Sequence, residues 1–575
     1  MGSLRLRLLV LGALCLASAV SFAVAAEPDE PAGVKPAPTG DTPAGLKPGP
    51  VVQPLFGPAA TSLTPEQMSA RIDELLGLKW TEKGVKPAPL ADDAEYFRRL
   101  SLDLNGRIPI ITQMSDFLDD NRADKKRIWT ELLMQDRDNV DLFVTHWTNF
   151  WRHTVLAHAN NQQQAVFAGP QMEQFFRNHV KNNTPYDQMV RELLTGNMSN
   201  VLFQAAENKP ENMASQTSRL FLGVKLECAQ CHEDRSGGNW SQVQFWQYAA
   251  FYVNNGRGSQ PTIQVPDRKK QTVPATFLDG GKPQWRSGAS SATILAEWMT
   301  SPNNAYFARA VVNRMWHYFM GVGFVDPVDA ASEENPASHP ELLDELARQF
   351  VAHKFDMKFL IRAITGSRAY QLTSVRTDAS QDDPRLFARM NVRGMSPEQL
   401  FDSLAEATGY FTNGNRGFNE FGQPITPRNE FINRFANPNE KRTDTQTSIL
   451  QALFLMNGKH TEDTLKNSKS LRTVQENVLG NAEPNVTEAA VPAMVFDPVG
   501  AGIMSAGTLA HRIDRSVRRN VTELFIVTLS RKPRAEELDR LVKYVRTGGP
   551  TKKREDALAD IFWALINSGE FMLNH

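Results

Sequence analysis

Short runs of apolar residues spaced three and four apart, each opened by a capping residue and closed by Gly, Asn or Pro, restrict this chain to a helical fold. The first run sets the pattern. Thr64-Pro65-Glu66-Gln67 combines an N-cap threonine, a proline at the first helical position and Gln at the third. Met68, Ile72, Leu75 and Leu76 then follow at helical spacing. Residues 92–104 repeat the pattern with Tyr96, Phe97, Leu100 and Leu102, and stop at Asn105-Gly106. Further helices are predicted over residues 112–118, 125–134, 143–156, 171–180, 212–225 and 242–253. More follow over 292–299, 305–320, 340–350, 358–364, 398–408, 446–456, 517–529, 536–545 and 558–567.

The breaks in this pattern divide the chain. At 575 residues it exceeds one ordinary core, and roughly two to four domains are expected. Residues 27–62 are rich in Pro and Ala and read as a disordered linker. Residues 256–290 alternate Gly, Pro and charges around short β-prone runs such as Thr262-Ile263-Gln264-Val265. This is the best boundary in the chain. The expected fold is mainly α: two packed multi-helical domains, 63–255 and 291–575, with long irregular loops over 411–443 and 481–505. At most a small β-hairpin is expected, near 260–280.

Residues 1–26 read as a signal peptide. Arg5 and Arg7 precede an apolar stretch that ends in Ala23-Val24-Ala25, a small-x-small cleavage site. The mature chain is therefore expected to be periplasmic or secreted. No later segment has the run of about 18 apolar residues that spans a bilayer. A formal net charge of −1 gives no global field that would favour nucleic acid or an anionic membrane.

Cys15 lies in the leader, so the mature chain keeps Cys228 and Cys231, followed at once by His232. Cys-x-x-Cys-His is the spacing for covalent attachment of a c-type haem: two thiols take the vinyl groups and the histidine ligates the iron. Such attachment takes place outside the cytoplasmic membrane, in keeping with export. Two other chemistries suit the same residues. Cys228, Cys231 and His232 with a carboxylate such as Asp234 would make a zinc site, and the two thiols alone would make a local disulfide. A haem iron would take a sixth ligand from Met198, Met213, His146, His153, His158 or His179, or keep that position open. Core packing is the ordinary role of the two methionines. His146 and His153, seven apart, interleave with Trp147 and Trp151, as an aromatic core would.

Several motifs occur in a familiar order. Phe97-Arg-Arg-Leu-Ser-Leu-Asp-Leu-Asn-Gly-Arg-Ile-Pro109, Asn183-Thr-Pro-Tyr-Asp-Gln-Met-Val-Arg-Glu-Leu-Leu194 and the stretch from Phe221 to His232 resemble the planctomycete cytochrome-like domain of unknown function. Phe307-Ala-Arg-Ala-Val-Val-Asn-Arg-Met-Trp316, Asn335-Pro-Ala-Ser-His-Pro-Glu-Leu-Leu343, residues 444–457 and residues 563–575 resemble the planctomycete-specific domain that follows it. The resemblance implies an exported, mainly helical protein associated with haem. Where relatives continue with a second histidine, this chain has Asp234. The leading expectation is a c-type cytochrome-like protein that transfers electrons to or from an unidentified redox or protein partner. The alternative is a non-redox exported binding or assembly protein whose Cys-x-x-Cys is a disulfide or a zinc site.

No catalytic motif appears: no phosphate-cradling Gly loop, dinucleotide fingerprint, His-Glu-x-x-His or nucleophile elbow. Arg98, Arg99, Asp103 and Arg107 are expected to form a buried structural ion network. Asn313, Arg314, His317, His339 and Asp344 are expected to make inter-helix polar contacts. Ser338 reads as an N-cap with Glu341 at the third helical position.

Overall fold

The computed structural model describes residues 61–135, 137–157, 159, 162–233, 240–253, 260–266, 271–409, 426–435, 468–472, 494–497 and 502–575. The predicted leader, nearly all of the predicted linker and the predicted helix over 446–456 lie outside them.

The fold is helical, and its first element forms as the capping residues dictate. Thr64 Oγ1 accepts from the Gln67 backbone N–H at 3.3 Å, and Gln67 Oε1 accepts from the Thr64 N–H at 2.9 Å. The helix Pro65–Lys83 follows, and its Met68, Ile72 and Leu76 are wholly buried. The next helix, Asp93–Asn105, is capped by the Asp92 carboxylate on the Glu95 N–H at 2.8 Å. It closes at Gly106, where φ is +71° and a Cβ would strike the His146 ring. Every residue from Tyr96 to Asn105 is buried. A helix enclosed on all sides must find internal partners for its charges, and this one carries Arg98, Arg99 and Asp103.

The largest apolar core runs from Met68 to Met390 and draws on both sides of residues 256–290. Aromatic contacts show the continuity. Tyr186 stacks on Phe307 with ring centroids 5.1 Å apart, and Trp147 meets Tyr318 at 5.1 Å. A second core joins Leu102 and Ile108 to Leu400, Phe401, Val521, Phe562 and Phe571. The Asp93–Asn105 helix thus serves both, with Phe97, Leu100 and Leu104 in the first and Leu102 in the second.

Strands are few and short. β1 (Thr262–Gln264) and β2 (Thr272–Pro274) pair antiparallel in the expected hairpin region. β3 (Arg393–Gly394) pairs with β6 (Leu573–Asn574) across most of the second half of the chain. β4 (Met494–Asp497) and β5 (Gly502–Ser505) form a hairpin inside 481–505, a stretch that reads as irregular in sequence. Likewise 411–443, predicted to be loop, contains the helix Pro427–Phe435. The helix predicted over 171–180 starts earlier, as Gln162–Lys181, and passes through Pro170. That over 143–156 also starts earlier, as Arg137–Leu156.

Candidate functional site

The approach to the two cysteines departs from the regular helix predicted over 212–225. The α-helix Pro210–Thr217 runs into one π-helical turn, Ser218–Leu222, which ends at Gly223 with φ +66°. A Cβ at Gly223 would sit 3.3 Å from the Ala310 Cβ, so both the left-handed backbone and the close packing call for glycine. Leu220, Phe221, Leu222, Val224 and Leu226 are all buried and seat the segment in the main core.

A 3-10 turn, Glu227–Gln230, then carries the motif to the surface. Ala229 is fully buried and pins the turn, Cys228 is half-buried, and Cys231 and His232 are exposed. Residues three apart eclipse one another in a 3-10 helix. Cys228 lies in this turn and Cys231 caps it, so the two project along one edge. They are not joined in a disulfide. The helix after the motif holds the turn from the other side. Gln242 Nε2 donates to the carbonyls of Gln230 and Cys231 at 3.3 and 3.1 Å, and Trp246 Nε1 donates to Gln230 at 3.0 Å. His232 Nδ1 lies 2.8 Å from the Glu233 carbonyl. A carbonyl only accepts, so Nδ1 carries the proton and Nε2 of the neutral ring keeps its lone pair for a metal.

Arg219, in the π turn, ties the site to the second half of the chain. Its Nε reaches Asp329 Oδ2 at 2.6 Å and its Nη1 reaches Glu227 Oε1 at 2.8 Å. Burial opposes the charge on Arg219, but Asp329 and then Glu227 outweigh it and hold the guanidinium above its ordinary pKa. Arg314 Nη2 donates to the Arg219 and Leu220 carbonyls at 3.4 and 3.3 Å, and the Ala331 N–H donates to Gly223 at 3.1 Å. None of these supports is visible in the motif itself. Gln242 and Trp246, four apart on one helix face, are the part a sequence could have offered.

The structure gives the proposed sixth ligands other contacts. His146 Nε2 lies 2.5 Å from the Tyr318 hydroxyl, His153 Nε2 2.6 Å from Glu398 and His179 Nε2 3.3 Å from Glu192. Met213 is buried in the main core and Met198 packs against it. His158 and Asp234 lie outside the described residues. Among the described residues, no three or more His, Cys, Asp and Glu side chains converge as a metal site. No described helix is long and apolar enough to cross a membrane.

The charged set on the Asp93–Asn105 helix is a buried network. Arg393 meets Asp103 through two parallel bonds of 3.0 and 2.9 Å, and Tyr370 and Asn574 each donate to Asp103 at 2.8 Å. Arg98 donates to the Thr528 and Phe571 carbonyls at 3.0 and 2.9 Å, and Arg99 to the Tyr370 carbonyl and to Glu95. Arg107 pairs with Glu406 at 3.3 Å nearer the surface. In the second half, Asn313 Nδ2 donates to Val325 at 2.9 Å and Arg309 pairs with Asp344. The helix Pro340–Ala352 has His339 rather than Ser338 at its N-cap position, and no side-chain hydrogen bond caps it. His339 is buried, with Nδ1 3.0 Å from Ser338 Oγ.

Comparison with known proteins agrees with the resemblance read from the motifs. No curated protein and no solved structure matches the chain. Residues 71–256 match the family PSCyt2, described as a protein of unknown function (DUF1549). Residues 292–545 match PSD1, also described as a protein of unknown function (DUF1553). The two matches stand in tandem along the chain, a PSCyt2 domain followed by a PSD1 domain.

Proposed function

We propose that the chain is an exported electron-transfer protein carrying one haem c, tethered at Cys228 and Cys231 and ligated by His232. The observation that carries this reading is the Glu227–Gln230 turn. It sets two cysteines along one edge and follows them with an exposed imidazole whose Nδ1 is engaged and whose Nε2 is available. The PSCyt2 match supports it at family level. In this reading Cys228 and Cys231 would tether the haem as thioethers, each thiol adding across one vinyl group with its hydrogen passing to the neighbouring carbon, so that no oxidant would be consumed. His232 Nε2 would ligate the iron, with the Glu233 carbonyl on Nδ1 setting the ring's tautomer and orientation. Gln242, Trp246 and Arg219 keep the turn in place. The bound haem supplies a one-electron couple.

The test is direct. The full chain is produced with its leader in a host that has c-haem maturation machinery, then denatured, and its pyridine haemochrome spectrum is recorded. Near one covalent haem per chain is expected in the exported fraction, and none in a Cys228→Ser, Cys231→Ser variant. Absence of covalent haem from the parent protein sinks the proposal. Stoichiometric zinc in that sample, or a Cys228–Cys231 disulfide by mass, would instead point to an exported binding or assembly protein.

A further inference from the structure

Residues 540–554 carry six lysines and arginines and no aspartate or glutamate, in a chain whose formal net charge is −1. Arg540, Lys543 and Arg546 end the helix Ala535–Thr547. Standing three apart, they climb its surface about 4.5 Å at a step, while Val542 and Val545 are buried on the other side. The 3-10 turn Gly549–Thr551 follows and sets Lys552 and Lys553 at the end of this ridge, before Arg554. All of these cations except Arg554 are exposed. Lys552 has φ +62°, a left-handed backbone that favours glycine, so a lysine keeps this place at a conformational cost.

The nearby acids are largely occupied. Asp514 takes Arg546 at 2.5 Å and Arg518 at 3.3 Å, and Asp539 takes Arg518 at 2.9 Å. Among the described residues, Arg540, Lys543, Lys552 and Lys553 have no carboxylate within ion-pairing distance, Glu536 one turn before Arg540 included. A ridge of like charges repels itself and attracts an anionic partner.

Its composition selects the kind of partner. The exposed large apolar side chains, Leu78, Leu90, Ile111, Phe167 and Val375, all lie outside it, so it lacks the apolar face that seats a protein in a bilayer interface. Tyr544, its one aromatic residue, is half-buried with its hydroxyl on Asp560 at 2.8 Å, which leaves no free ring for an unpaired base. A hydrophilic polymer with anionic groups repeated along its length fits what remains. Sulfate and carboxylate groups suit arginine's paired donors and lysine's point charge. An exported chain, as proposed above, meets such polysaccharides rather than nucleic acid.

We propose that this ridge binds an anionic polysaccharide, the sulfates or carboxylates of successive sugars lying on Arg540, Lys543, Lys552 and Lys553. The site is independent of the haem and stands or falls without it.

Fluorescently labelled dextran sulfate and polygalacturonate are the probes, read by anisotropy against the full chain at low salt. At least one is expected to bind saturably, with affinity falling as salt rises, and uncharged dextran is expected not to bind. Replacing the four residues together, by Arg540→Gln, Lys543→Gln, Lys552→Gly and Lys553→Gln, is expected to weaken binding at least roughly tenfold, as four exposed charge contacts of ordinary strength imply. A control with Lys83, Lys86, Lys181 and Lys282 changed to Gln, all exposed and outside the ridge, is expected to bind as the parent does. Failure of both polymers to bind overturns the proposal. So does a ridge variant that binds like the parent, or a control that weakens as much as the ridge variant. A DNA duplex or phosphatidylserine vesicles bound as tightly as the better polysaccharide, at equal charge concentration, would replace it with nucleic acid or a membrane. If the ridge variant fails to fold, this comparison on the parent decides the matter.

Discussion

Asp103 has no exposed surface, yet four side-chain bonds reach its two carboxylate oxygens: two from Arg393 and one each from Tyr370 and Asn574. That arrangement keeps a full charge tolerable inside a protein, because every lone pair left unmet would add a desolvation penalty. Burial, and then the neighbouring Asp103 charge, push the Tyr370 phenol well above its ordinary pKa, so it remains a donor at all working pH. His339 shows the opposite case. Burial, then Lys79 and Arg385, depress its pKa to about 4. Between about 6.5 and 4 the unfolded chain binds a proton here that the folded chain refuses, so stability is lost as pH falls through that window and is intact above it. His575, also held at about 4, adds in the same direction. We expect urea-unfolding free energy to decline from pH 7 to pH 5, and His339→Leu to flatten the decline by up to about one proton in slope. An unchanged slope in a well-folded variant would mean that His339 is protonated in the native state.

At the scale of elements, many of the local signals could be read from sequence, though the Thr426-Pro427 start of the helix Pro427–Phe435 was not. The Thr64 capping box, the stop at Asn105-Gly106 and the helix Ala305–Met320 all rest on residues within a few positions of one another. The β3–β6 pair does not: Arg393 and Gly394 meet Asn574 and Leu573, and two-residue strands leave no alternation to detect. The Cys-x-x-Cys-His turn divides the same way. Its spacing was legible, but its anchor was not, because Arg219 and Asp329 stand 110 residues apart. The π turn was hidden too, since Ser218–Leu222 has an ordinary helical composition. Gly223→Ala tests this element. It forces a left-handed alanine toward Ala310, and we expect a loss on the order of 1 kcal/mol in unfolding free energy. We also expect faster alkylation of Cys228, which is half-buried in the parent. Unaltered alkylation would show that the π turn does not govern the cysteine turn.

For the molecule as a whole, the boundary at 256–290 separates two family matches, but the core crosses it. Tyr186 against Phe307 and Trp147 against Tyr318 are contacts that neither half makes alone. Produced separately, residues 61–255 and 291–575 would each present a large apolar face to water. Each is expected to bind an apolar dye and to melt without a sharp transition, whereas the full chain melts cooperatively. A sharp calorimetric transition in either fragment would show that one half supports its own core.

The charges of the Asp93–Asn105 helix also bear on the order in which the protein is made. Arg99 finds the Tyr370 carbonyl 271 residues later, Asp103 finds Arg393 290 residues later, and Arg98 finds Phe571 473 residues later. Until those segments leave the ribosome, the helix holds two guanidiniums and a carboxylate with no site in which to bury them, and water must cover it. A nascent chain can cap and coil its first helices early, yet its centre stays wet until its last strand arrives. The earliest helix to be enclosed in the finished protein is therefore among the last to be sealed.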